Sequence, residues 1–67
     1  MAALTSYRIY YVGPGGRLRE GEALQASGDD EAVDKTRALL PPDEAAELWE
    51  GGRLVGSFSR THAFSPG

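Results

Sequence analysis

The side chains that most often carry chemistry are few in this chain. Among its 67 residues there is no cysteine and a single histidine, His62, which has Ser59, Thr61 and Ser65 as near neighbours. A serine nucleophile works with a histidine and a carboxylate held beside it, and no spacing in this sequence favours such a set. One histidine without cysteines does not form a structural zinc site. The sequence therefore predicts a protein that is not an enzyme, with no catalytic residue, no metal site and no cofactor.

Two further patterns resemble ligand sites but have simpler explanations. Residues 13–16, Gly-Pro-Gly-Gly, lack the Lys-Ser/Thr pair and the following helix that a phosphate loop needs, so they are interpreted as a hairpin turn. A group of acidic residues lacks the spacing and the glycine of a calcium loop, and it suits the positive end of a helix dipole instead. These acids are Asp29, Asp30, Glu31 and Asp34.

The charged residues are divided unevenly along the chain. All ten acidic residues lie between Glu20 and Glu50, whereas residues 1–19 and 51–67 hold five arginines and no acid. The middle segment has ten acids against two bases, the flanks carry five positive charges, and the net charge is −3. We expect these charges on different elements, with an acidic helix side and a more basic sheet side. The negative net charge counts against nucleic acid as a partner.

The first half of the chain predicts a β-hairpin. Residues 7–12, Tyr-Arg-Ile-Tyr-Tyr-Val, give the strongest strand signal because aromatic and β-branched residues dominate. Residues 17–26 return after the glycine-rich turn, with Gly21 at a bulge. Their apolar members are expected on one side of the strand: Leu18, Leu24 and Ala26.

A helix and a second hairpin follow. Ser27 can cap a helix that ends at Pro41-Pro42, since neither proline can continue it. Residues 45–50 and 53–60 are then expected to pair around Gly51-Gly52 as a type I′ turn, with positive φ at both glycines. The predicted fold class is α+β, a four-stranded antiparallel sheet (ββαββ) with one helix packed on one face. Residues 1–67 form a single domain, with an ordered core over 6–58 and a tail over 59–67.

The two-residue turn sets which side chains share a face of the second hairpin. It places Trp49 opposite Leu54 and Leu48 opposite Val55. A single helix covers only one sheet face, and the apolar residues assigned beneath it are Ile9, Tyr11, Leu24, Leu48 and Val55, against Val33, Thr36, Leu39 and Leu40. The opposite face is predicted to be an open interaction surface formed by Arg8, Tyr10, Val12, Trp49, Leu54 and Phe58.

Three segments of the chain resemble a group of short, uncharacterised bacterial proteins. They are Tyr-Arg-Ile-Tyr-Tyr at 7–11, Asp-Asp-Glu-Ala at 29–32 and Glu-Leu-Trp-Glu-Gly-Gly-Arg at 47–53, and the similarity covers residues 6–58. The resemblance implies the ββαββ order. It implies no activity.

An open face with a Trp, a Tyr and a Phe is a large apolar patch for a small monomer. We expect it to be a protein interface, most simply a homodimer interface, because Trp, Tyr and Arg anchor interfaces. A small interaction module of unknown biological role is therefore the predicted function.

Two alternatives remain for the same face. In the first, residues 59–67 or 1–6 fold over it, and Phe64 helps to close it. In the second, it binds single-stranded nucleic acid, with bases stacked on its aromatic rings and phosphates contacted by arginines. The side chains named for that second role are Tyr10, Trp49 and Phe58 with Arg8, Arg53 and Arg60.

The sequence shows no membrane or export signal. No run of about 18 apolar residues occurs, as a transmembrane helix requires. Residues 1–6, Met-Ala-Ala-Leu-Thr-Ser, lack the regions of a signal peptide. With the absence of cysteine, this leads us to expect a cytoplasmic protein with no membrane partner.

Overall fold

A computed structural model describes residues 3–67. They form one α-helix and one antiparallel sheet of five strands. The sheet order is β2-β1-β3-β4-β5, and every neighbouring pair is antiparallel. A short 3-10 turn at Pro14–Gly16 joins the first two strands. The elements are β1 (Thr5–Val12), β2 (Leu18–Ala26), α1 (Asp29–Leu39), β3 (Ala45–Glu50), β4 (Arg53–Phe58) and β5 (Phe64–Pro66). The α+β class and the antiparallel sheet are thus confirmed.

The fifth strand lies in the segment for which the sequence predicts a tail. Phe64 pairs with Phe58, and the centroids of their rings are 5.0 Å apart. The Gly67 N–H donates to the Val55 carbonyl at 3.0 Å and extends this ladder. The prediction of four strands is therefore wrong. The sequence does not predict the fifth strand because Pro66 weakens the strand signal there. A proline is nevertheless tolerated on an edge strand.

The first hairpin contains the predicted bulge. Arg8 pairs with Ala23 and Tyr10 pairs with Glu20, so β2 has an extra residue around Gly21. A Cβ at Gly21 would lie 2.3 Å from a ring carbon of Tyr11, and glycine is the residue that allows this approach. The bulge is confirmed. Because of the extra residue, the odd-numbered positions of β2 after the bulge share a face with the even-numbered positions before it.

Helix α1 begins differently from the prediction and ends as predicted. Its N-cap residue is Gly28, with no side-chain cap, so Ser27 does not cap it. The Ser27 N–H instead donates to the Glu31 carboxylate at 2.8 Å. The helix ends at Leu39, before the prolines. Within residues 3–67 this 11-residue helix is the only α-helix, and it is too short and too polar to cross a membrane.

The helix covers one face of the sheet and closes a small core. The buried helix residues are Ala32 and Thr36, and the Thr36 hydroxyl donates to the Ala32 carbonyl at 2.7 Å. Leu39, predicted to be in the core, is 48% exposed. The buried apolar residues are Tyr7, Ile9, Tyr11, Ala26, Ala32, Leu40, Ala46, Leu48, Val55 and Phe58.

A second bulge changes the register of β3 and β4. Next to the turn, Trp49 pairs with Leu54 as predicted. The register then shifts between Leu48 and Trp49, so Leu48 pairs with Gly56 where Val55 was predicted. Beyond the shift, Ala46 pairs with Phe58 and both are buried on the covered face.

The turn between these strands also differs from the prediction. Gly51 has a φ of 58°, whereas Gly52 is not among the residues with positive φ. A positive φ at the first central residue alone is typical of a type II′ turn, which also matches the twist of a hairpin. The predicted type I′ turn is therefore wrong at Gly52.

Candidate functional site: an open aromatic sheet face

The face of the sheet opposite the helix is formed by alternate residues of four strands. In β1 the buried residues alternate with half-buried ones, which point away from the helix. Cross-strand pairing extends this surface: Arg8 pairs with Trp49, and Val12 pairs with Leu18. We call this surface the open face and define its apolar part by Tyr10, Val12, Leu18, Trp49 and Leu54.

An aromatic pair occupies the middle of the open face. The ring centroids of Tyr10 and Trp49 lie 6.5 Å apart, and the ring planes are nearly perpendicular at 83°. Such an edge-to-face arrangement is a favourable one for aromatic rings. A shallow groove of about 260 Å³ lies beside the pair and is lined by both rings together with Leu18 and Gly51.

Charged side chains surround the aromatic pair. Tyr10 lies between two carboxylates, because it pairs with Glu20 on β2 and with Glu47 on β3. The Trp49 Nε1–H donates to the Glu47 carboxylate at 3.0 Å. Arg8 forms an ion pair with Glu20 at 3.4 Å. Glu47, by contrast, has no ion pair with any side chain of residues 3–67.

Five of the six residues predicted for the interaction surface lie on the open face, and Phe58 does not. Phe58 is 2% exposed, and the Arg37 guanidinium lies 5.8 Å from its ring centroid on the helix side. The bulge between Leu48 and Trp49 turns it inward. The five residues that lie on the open face are Arg8, Tyr10, Val12, Trp49 and Leu54.

The arginines proposed to contact phosphates are separated in the structure. Arg53 donates to both Asp29 carboxylate oxygens, at 2.9 and 3.2 Å, and it also contacts Glu50. Arg60 donates to the backbone carbonyl of Asp43 at 3.4 Å. Only Arg8 of that set lies on the open face. The predicted basic sheet side is not found on the open face, where Arg8 is accompanied by Glu20 and Glu47, and Arg53 pairs with the helix acid Asp29.

The contact between the helix and the second hairpin shifts the pKa of three groups. Hydrogen bonds from Arg53 and Tyr7 lower the pKa of the Asp29 carboxyl. Burial, with the hydrogen bond to Asp29, raises the pKa of the Tyr7 phenol, whose hydroxyl donates to Asp29 at 2.9 Å. Hydrogen bonds to Asp29 and Glu50 raise the pKa of Arg53. These groups bind one another and hold the helix in place, so they form no open site.

The second concave region adjoins the open face at Val12 and extends over Gly13, Pro14 and residues 43–45. It has a volume of about 510 Å³, and its charged lining residues are Asp43, Glu44 and Arg60. Glu44 already pairs with Arg19 at 3.1 Å. In the part of the chain that the structure describes, no three His, Asp or Glu side chains are grouped as a metal site would require. The region lacks a set of groups that would select a particular ligand.

His62 makes contacts that hold the chain together. Its Nε2 lies 2.9 Å from the Pro41 carbonyl oxygen, and its backbone carbonyl accepts a hydrogen bond from Arg37 at 3.4 Å. These contacts tie the segment before β5 to the end of the helix. They explain how His62 is half-buried in a segment for which the sequence predicts a tail.

Two members of the open face were missed by reasoning from the sequence. Leu18 was placed on the same side as Leu24, but the bulge at Gly21 puts it opposite Val12. Glu47 was predicted to be in the hairpin and was given no role. The signal for Leu18 was the glycine within a strand pattern, because each bulge reverses the alternation beyond it.

Comparison of this chain with family models, with curated proteins and with solved structures gives no match. The resemblance to short bacterial proteins therefore remains a prediction.

Proposed function

We propose that the chain is a small interaction module, without enzymatic activity, that associates with a second copy of itself through the open face. The observation that supports this most is the continuity of apolar side chains on a face that the helix does not cover. Tyr10, Val12, Trp49 and Leu54 are half-buried, and Leu18 is 50% exposed. Contiguous exposed apolar surface of this kind marks interaction sites.

The described ends of the chain leave the face free. Leu4 is 59% exposed, so the start of the described chain does not pack there. Phe64 pairs with Phe58 on the covered face, so it does not close the open one. The last residue, Gly67, lies against Leu54 at the rim. A folded-over tail is thus a weaker explanation than a partner.

The size and charge of the face suit a second copy. The molecule measures 41 × 21 × 19 Å, so its broad side has the dimensions of a standard interface of about 800 Å² per partner. A two-fold axis brings the same patch of both copies together, which requires a surface that does not repel itself. Arg8, Glu20 and Glu47 give the face both signs of charge.

Nucleic acid is disfavoured by the same charges. The open face holds one arginine against two carboxylates, and the arginine is already paired. Phosphate contacts supply most of the affinity of non-specific nucleic-acid binding, and they need several unpaired cations. Strong binding of a short oligonucleotide would contradict the proposal.

A matched pair of leucine variants tests the proposed function. Leu18→Glu places a charge on the open face, whereas Leu39→Glu places the same charge on the helix, and the two leucines are 50% and 48% exposed. Sedimentation equilibrium from about 1 µM to about 1 mM covers the affinities expected of an interface of this size. We expect a dimer of the parent chain and of Leu39→Glu.

The expected result for Leu18→Glu is a monomer over the same range, with circular dichroism unchanged from that of the parent. A parent chain that stays monomeric throughout would refute the proposal. So would equal dissociation constants for the two variants, because the interface would then lie elsewhere.

A further inference from the structure

One arginine of this protein lacks the contacts that the other cations make. Five of the seven Lys and Arg residues form ion pairs, and Arg60 donates to a backbone carbonyl. Arg17 makes neither an ion pair nor a side-chain hydrogen bond within residues 3–67. It is exposed in the loop that precedes β2, directly beside Leu18 of the groove.

The groove beside Tyr10 and Trp49 has groups that can bind a cation. The face of an aromatic ring attracts a cation within about 6 Å of its centroid, and arginine is the side chain found there most often. Two such rings line the groove at 83° to each other. Its volume of about 260 Å³ is roughly nine times the ~30 Å³ share of one water in the liquid, enough for a guanidinium group.

A carboxylate without a cation lies next to these rings. Glu47 accepts the Trp49 indole hydrogen bond at 3.0 Å and has no ion pair among the described residues. It is half-buried, so its charge is only partly screened by solvent. A planar guanidinium can stack on an aromatic ring and donate to a carboxylate at the same time, whereas an ammonium cannot do both as well.

We infer that the groove of each copy binds the Arg17 guanidinium of the other copy in the self-associated form. This inference rests on the proposed function and names the contact that orients the two copies. Arg17 directly precedes Leu18 in extended backbone at the start of β2, which is an edge strand, so its long side chain can extend past the sheet edge. A two-fold axis near Leu18 then brings each Arg17 to the groove opposite. The contact is then made twice per dimer.

A double-mutant cycle tests the contact within the dimer. Arg17→Ala removes the guanidinium, and Glu47→Gln removes the charge while it keeps an acceptor for the Trp49 indole. We expect each change to raise the dimer dissociation constant about tenfold, since two cation–π and charge contacts are lost per dimer. The double variant should be weaker than the parent by less than the product of the two single effects.

Arg60→Ala is the matched control, because it removes the same charge from an exposed arginine that does not line the groove. Its dissociation constant should stay within about twofold of that of the parent. Equal effects of Arg17→Ala and Arg60→Ala would overturn the inference and leave self-association intact.

A second measurement tests whether the groove binds a guanidinium group independently of dimer formation. N-acetyl-arginine amide and its neutral isostere, N-acetyl-citrulline amide, are titrated into dilute protein while Trp49 emission is followed. We expect saturable change with the arginine compound only, and its loss in Glu47→Gln. An equal response to both compounds, or none to either, would overturn the inference whether or not the chain dimerises. A parent chain that remains monomeric yet binds only the arginine compound would refute the proposed function and the role of Arg17, while the groove would still be a guanidinium site.

Discussion

The two faces of the sheet differ in how completely they bury their side chains. On the covered face Ile9 and Leu48 have no exposed surface, and Phe58 is 2% exposed. On the open face the apolar side chains are half-buried at best, and Leu18 is 50% exposed. Both faces come from alternate residues of the same strands. The covered face therefore holds the buried core of the fold, and the open face is the one through which we propose that two copies associate.

The faces also differ in how their charged groups are used. Around the covered face, Arg53 binds Asp29 and Glu50, and Arg19 binds Glu44. On the open face, Glu47 keeps a charge without an ion pair among the described residues. The Arg53–Asp29 pair thus links the helix to the second hairpin, whereas Glu47, close to the Arg8–Glu20 pair of the open face, is available for the contact that we propose with a second copy.

The largest expected effect is the difference in the free energy of unfolding between a variant of the covered face and a variant of the open face. Phe58→Ala should lower the free energy of unfolding by about 3–5 kcal/mol, because it leaves a cavity in a core that contains few large side chains. Trp49→Ala on the open face should cost about 1 kcal/mol, since the indole is half-buried. Urea denaturation followed by circular dichroism measures both. Equal losses would contradict the assignment of Phe58 to the covered face.

A smaller effect concerns the turn that joins β3 to β4. Gly51→Ala should cost about 1 kcal/mol, since a Cβ is disfavoured at its φ of 58°. Gly52→Ala is the matched control, because its φ is not positive and its added Cβ would meet no atom within 4 Å. Thermal melting should therefore distinguish the two neighbours. A type I′ turn would instead make both variants unstable.

The smallest expected effect is on the dependence of stability on pH. The pKa of Asp29 is lowered from 3.8, so the unfolded chain binds a proton at this carboxyl more readily than the folded chain. Its contribution to stability is therefore present above that value and is lost as the pH falls through the lowered pKa. Asp29→Asn should melt at a lower temperature near neutral pH.

Between about pH 5 and about pH 2 the melting temperature of Asp29→Asn should also fall less steeply than that of the parent. Asp30→Asn is the control, because the Asp30 side chain makes no hydrogen bond or ion pair with the rest of residues 3–67. Identical pH profiles for the parent and Asp29→Asn would show that the bonds from Arg53 and Tyr7 do not stabilise the fold.

The sequence predicted the elements that depend on local signals. The strand beginning at Tyr7, the bulge at Gly21 and the end of the helix before Pro41 follow from residue types and their spacing. The pairing of Trp49 with Leu54 was also predicted, because a two-residue turn fixes the first pairs of a hairpin.

What the sequence did not predict depends on contacts between distant segments. The extra residue of the bulge in the second hairpin is Val55 of β4, and the Gly56 beside it is not interpreted as a bulge in the sequence prediction. The shifted register places Phe58 opposite Ala46 on the covered face. Strand β5 forms because Phe64 packs on Phe58. For the candidate site, the sequence predicts the correct face for five of six residues, and it does not predict Leu18 because the alternation of β2 reverses at the Gly21 bulge.

The claim that the open face is an interface between two copies is tested most directly by nuclear magnetic resonance. A sample that mixes isotope-labelled and unlabelled chains allows filtered nuclear Overhauser effects, which arise only between copies. We predict such effects between the Trp49 indole and the methyl groups of Leu18 and Val12, and none at Leu39. Intermolecular effects at Leu39 without any at Trp49, or none at all at millimolar concentration, would contradict the claim.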